Sequence, residues 1–226
     1  MIDDLPEPVL LDRRRGTAYH RPKLRGVSHL IAFNVSLVLG TLIVTSSHDR
    51  LASVAALVYA TSVAGLFGVS ALYHCGRWRP GTRRWLQRLD HAMIFLMIAG
   101  TYTPVLLLVL DGDVARTLLA AVWALTALGM LLHLVRIDAP EWVVGGLYLG
   151  LGWMSVPALP VLWDRVGPAG ALLVLAGGVL YTVGAIAYYR RWFDLRPHVF
   201  GYHEVFHVFV IAAAACHYAL IGWIIL

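Results

Sequence analysis

The chain has 226 residues, 59% of them hydrophobic and only 14% charged, with 18 basic against 13 acidic residues and a formal net charge of +5. Soluble domains carry about 25% charged residues, so this composition excludes an ordinary soluble protein and indicates one that crosses a membrane several times. The basic residues stand in short clusters between apolar runs, which argues against a nucleic-acid-binding surface and leaves the phospholipid bilayer as the expected partner.

Residues 1–26 contain Pro, Asp and Arg but no short apolar core of the kind a signal peptide needs, and read as a solvated N-terminal arm. Its basic end, Arg13, Arg14, Arg15, Arg21, Lys23 and Arg25, suits anionic headgroups or serves as a topology signal. Residues 27–226 then read as one domain, an all-α membrane protein built as a seven-transmembrane-helix bundle. The expected spans are 27–45, 51–73, 89–110, 115–135, 142–162, 169–189 and 202–226, each close to the length that crosses a hydrocarbon core. Turn residues separate them, for example Asp111-Gly112-Asp113 and Val166-Gly167-Pro168. Gly145, Gly146, Gly150 and Gly152 in the fifth span, and Gly170, Gly177, Gly178 and Gly184 in the sixth, are expected to allow close helix packing. Pro104, Pro157 and Pro160 are expected to bend the third and fifth spans. The two cysteines, Cys75 and Cys216, are too few for a disulfide framework and read as buried thiols.

With the amino terminus inside, the inner segments hold fifteen of the eighteen basic residues, and only Arg50, Arg116 and Arg165 fall outside. The positive-inside rule therefore predicts a cytoplasmic amino terminus and an external carboxyl terminus in the cell (inner) membrane.

This threading brings the end of the second span and the starts of the third and seventh to one face. Ser70 and His74 close the second span, Asp90 opens the third, and His203 and His207 open the seventh. His203 and His207 lie one helical turn apart, where two imidazoles can reach one metal ion. With His74 they make a three-histidine set whose fourth position stays open for water, the coordination of a catalytic zinc. Asp90 suits holding or deprotonating that water, and Ser70 suits steadying a developing oxyanion. Glu204 completes a His203-Glu204-x-x-His207 pattern shared with zinc metalloproteases; a pairing with Arg190, Arg191 or Arg196 across the interface is the alternative. His20, His29, His48, His133 and His198 read as satisfied interfacial residues. His91 points about 100° away from Asp90, and His217 lies about 15 Å along the helix from His207, too far to share an ion.

Ser70-Ala71-Leu72-Tyr73-His74, Leu89-Asp90-His91 leading to Ala99-Gly100-Thr101-Tyr102-Thr103-Pro104, and His203-Glu204-Val205-Phe206-His207 stand in one order along the chain. Together they resemble the hemolysin III family, the bacterial branch of the progestin and adiponectin receptor (PAQR) superfamily. The resemblance implies a seven-helix bundle with zinc held by His74, His203 and His207, Asp90 hydrogen-bonded to the metal's water, and Ser70 as the accompanying serine. Eukaryotic relatives are associated with ceramide hydrolysis, which implies a membrane lipid as substrate or ligand. Glu204 departs from the animal receptors' pattern. The leading expectation is a zinc-dependent intramembrane hydrolase of a lipid amide; the alternatives are a zinc-containing membrane sensor or receptor and a pore-forming cytolysin. Polar residues crowd into one half of the spans, which disfavours a pore.

Overall fold

The computed structural model describes residues 9–12, 17–135 and 140–226, with side chains from Arg21 onward except that of Glu141. The expectations resting on Arg13, Arg14, Arg15, Arg136 and the side chain of His20 lie outside the described residues. A short hairpin, β1 (Val9–Asp12) antiparallel to β2 (Thr17–His20), precedes the helices. These are α1 (Val27–Thr45), α2 (Arg50–Cys75), α3 (Pro80–Leu108), α4 (Gly112–Val135), α5 (Glu141–Trp153), α6 (Leu159–Val166), α7 (Pro168–Arg190) and α8 (Tyr202–Ile225). With α5 and α6 counted as one span, seven are long and apolar enough to cross a membrane.

Two of the helices differ in detail from the sequence reading. The third begins at Pro80 rather than at residue 89, because Pro80 occupies a first-turn position where a missing N–H costs nothing and its fixed φ suits a helix. Asp90 therefore sits about 15 Å inside α3, not in its first turn. The fifth span is broken between Trp153 and Leu159 by a 3-10 turn at Val156–Ala158, where Pro157 and Pro160 cannot supply backbone donors to a continuous helix. Pro104 stays within α3.

The helix α2 lies between α1 and α3 and packs along both, while α8 pairs with α7 and also reaches α1, α2 and α3. Its partners there are side chains of the largest core cluster, in which Tyr59, Val63, Leu66 and Phe67 meet Met93, Met97, Val210 and Ala214. The outward face of α1, with Ile31, Val35, Val38 and Leu42, is exposed and apolar, as a lipid-facing surface must be.

The glycines divide into two groups. A Cβ at Gly184 would meet the Phe209 Cβ at 2.7 Å and one at Gly177 would meet the His217 ring at 2.2 Å, so α7 and α8 approach closely at these positions, as expected. The fifth-span glycines do the opposite. Gly145, Gly146, Gly150 and Gly152 have nothing within 4 Å of such a Cβ, and three of them line a cavity, so the expected close packing is absent there. Gly184→Ala should overpack the α7–α8 contact and cost about 1–3 kcal/mol, whereas Gly150→Ala, which removes helix-interior glycine entropy without a clash, should leave stability equal or higher. Thermal unfolding of both variants in detergent checks the contrast.

Candidate metal centre

The last turn of α2 and the first turns of α8 meet at the bundle end where α1 also starts. There the ring nitrogens of His74, His203 and His207 lie within 4.8 Å of one another. The closest pair is His74 Nε2 and His203 Nε2, 3.2 Å apart. Two nitrogens bound to one tetrahedral zinc at 2.0–2.1 Å would stand about 3.3 Å apart, so this pair matches the donor geometry of a shared ion. His207 Nδ1 is buried with no hydrogen-bond partner among the described residues. Burying an imidazole nitrogen unpartnered costs free energy, and three convergent rings are able to hold a cation between them. The donor set therefore fits a metal ion.

Asp90 and Ser70 complete the cluster. Asp90 Oδ2 is 3.6 Å from His74 Nε2. Ser70, buried one turn before His74, faces the Asp90 carboxylate and has its Oγ 2.8 Å from His29 Nδ1. The sequence reading treated His29 as an interfacial residue, yet its ring stacks on that of His207 with centroids 3.7 Å apart. The signal that could have revealed it is parity, since α1 begins at the same bundle end as α8.

Glu204 faces away from the cavity. It is fully buried, its Oε1 lies 2.5 Å from Arg25 Nε, and its Oε2 accepts the Gly201 N–H at 2.8 Å. Its partner is thus an arginine of the N-terminal segment rather than Arg190, Arg191 or Arg196, because Arg25 stands directly before α1 and reaches the first turn of α8. With Oε2 on the Gly201 N–H and Oε1 in ion-pair contact with Arg25, Glu204 caps and anchors its helix and does not line the cavity, which leaves the metalloprotease assignment of a base to it without geometric support. Arg21 is drawn in as well: it donates to the carbonyl oxygens of His74 and Gly76. Residues 21–25, read as part of a solvated arm, instead close this end of the bundle. A second histidine pair that the sequence reading missed lies beside the cluster, with His91 Nδ1 3.0 Å from His133 Nε2 and the Tyr148 hydroxyl donating to the His91 carbonyl. His217 packs against α7, apart from the trio, as expected.

The trio opens into a cavity of about 1550 Å³ that extends from the arginines of the bundle end to Leu162, Val174 and Leu220 in the opposite half. The family model described as "Haemolysin-III related" matches residues 17–218. The chain belongs to the haemolysin III family. Among its relatives, "Hemolysin-3" of Bacillus cereus is 32% identical over 191 residues, covering 84% of this chain and 83% of that protein. "Monocyte to macrophage differentiation factor" of Homo sapiens is 26% identical over 195 residues, covering 84% and 79%. "Heptahelical transmembrane protein ADIPOR2" of Oryza sativa subsp. japonica is 31% identical over 191 residues, covering 74% and 80%. These relatives place the haemolysin III chain within the PAQR superfamily, as the sequence motifs implied.

The Arg25–Glu204 contact joins α1 to α8 beside two of the three histidines. Glu204→Gln leaves a buried guanidinium uncompensated and should destabilise the protein by about 3–5 kcal/mol, with the pair Arg25→Met and Glu204→Gln recovering part of the loss. A double-mutant cycle on unfolding in detergent measures this directly.

Proposed function

We propose that this chain is a zinc-dependent intramembrane hydrolase of a lipid amide, ceramidase-like in chemistry, with His74, His203 and His207 holding the metal. The observation that carries the reading is the meeting of three imidazoles with Asp90 and Ser70 at the head of a largely apolar cavity of about 1550 Å³. Zinc bound by three neutral imidazoles supplies Lewis acidity, which activates water near pH 7 and polarises a carbonyl.

The protein's own groups do the rest. Asp90, the sole carboxylate lining the cavity among the described residues, accepts the proton that water loses on attack and returns it to the leaving nitrogen. Ser70 is held between His29 and the Asp90 carboxylate, to which its hydroxyl donates; once Asp90 has taken the proton from water, that hydroxyl is released to turn toward the oxyanion that develops from the carbonyl. Stacked His29 also keeps the His207 ring in place, a positioning role. Val105, Leu106, Leu162, Val174 and Leu220 give the deep chamber an apolar lining suited to a hydrocarbon tail rather than to a file of ions. The charge distribution supports a cytoplasmic amino terminus in the inner membrane, which puts the site near the inner leaflet's surface.

Purified protein should carry stoichiometric zinc and release fatty acid from a lipid amide such as ceramide. Asp90→Asn should keep the metal and lose about 10²–10⁴-fold in rate, while His74→Ala should lose both. Elemental analysis with a turnover assay checks this, and equal product in all three samples would eliminate hydrolysis. For orientation, a thiol-reactive, membrane-impermeant label should reach a cysteine at position 116 from outside intact cells but not one at position 84.

A further inference from the structure

The charge balance of the cavity mouth is one-sided. Arg21, Arg77, Arg79, Arg83 and Arg190 line the cavity together with Arg25, against Asp90 as the only lining acid among the described residues. Arg25 is matched by Glu204. Arg21 has no carboxylate partner among the described residues: its guanidinium is part-buried and donates to the carbonyl oxygens of His74 and Gly76, which take up hydrogen bonds but no charge. Arg83 has Tyr73 as its side-chain neighbour, again a neutral group. Burial of Arg21 itself and the nearby charges of Arg25, Arg83 and Arg77 hold its guanidinium below its ordinary range, as expected where a part-buried cation has other cations around it on the cavity rim. Such a rim repels itself and is stabilised by an anion placed among its donors.

We propose that the amphiphile taken up by this cavity carries an anionic head, a phosphate or phosphate-like group, which the Arg21, Arg77 and Arg83 rim binds while its hydrocarbon chain fills the chamber. The position is fixed by Arg21, which is hydrogen-bonded to the main chain of His74, the same residue whose ring belongs to the histidine trio. An anionic group on the rim therefore leaves the acyl linkage beside the trio and the tail toward Leu162 and Leu220. A ring of arginines at a membrane surface would attract any anionic lipid without a subsite, and one neighbouring residue separates the two cases. Arg84 is exposed and does not line the cavity, whereas the adjacent Arg83 does. The inference rests on the cavity being a lipid site, as in the proposed function, but not on hydrolysis.

The test is binding of two fluorescent-acyl probes, phosphatidic acid and the matching diacylglycerol, to purified protein in neutral-detergent micelles. The subsite predicts a preference of about tenfold or more for the phosphorylated probe, reduced by about that factor in Arg83→Gln and in Arg77→Gln and retained in Arg84→Gln. Thermal unfolding of each variant identifies any that has lost its fold, and two independent rim positions guard against losing one. Arg21 is left intact because its bonds to α2 also hold the N-terminal segment. Equal binding of the two probes, or an equal loss in Arg84→Gln, would overturn the proposal in favour of bulk attraction, and displacement by millimolar inorganic phosphate alone would reassign the rim to a soluble anion. A protein that shows the preference but hydrolyses nothing would retain this inference and lose the proposed activity; one that hydrolyses a neutral lipid without the preference would do the reverse.

Discussion

Polar side chains cannot be left unpartnered in hydrocarbon, and that constraint organises one end of this bundle. His29, Ser70, His74, Asp90, His203, Glu204 and His207 come from four helices, and each is drawn toward another of the set or toward an arginine of the N-terminal segment. No helix could keep its polar residues at this depth alone, because an isolated imidazole or carboxylate would lose its hydration without compensation. Convergence is thus both what the bundle requires for stability and what creates the candidate metal centre. The Arg25–Glu204 contact shows the same economy on the structural side, since a single carboxylate closes the first turn of α8 and neutralises a buried guanidinium.

Away from that end the packing follows a different rule. Lipid is as apolar as leucine, so helices associate through close fit rather than through exclusion of water. Where α7 meets α8, glycines permit that fit; along α5 the glycines face open space and the helix forms one wall of the chamber. The broken fifth span and its thin wall leave room for a guest molecule between well-packed layers. The resulting cavity is polar and cationic at one end and apolar at the other.

Much of this was legible in the sequence because it is local. Seven apolar stretches of spanning length, the charge asymmetry of their connections, and the one-turn spacing of His203 and His207 follow from helix geometry and hydration, with no knowledge of packing. Parity then sufficed to bring Ser70, His74, Asp90 and the α8 histidines to one face, and the structure gathers them there.

What the tertiary structure alone decided is which partner each group takes. Glu204 had several arginines within plausible reach, and only the approach of the segment before α1 to α8 selects Arg25. His29 and His133 looked like solitary interfacial residues, and His91 was set apart only as pointing away from Asp90, because their partners stand more than 40 positions away in the chain. The fifth-span glycines had the composition of a packing motif but face a void, since a glycine's meaning depends on what the neighbouring helix brings to it. Span length and periodicity are properties of one segment in its solvent, whereas pairing and cavity shape depend on the relative rotation of helices, which no single segment encodes.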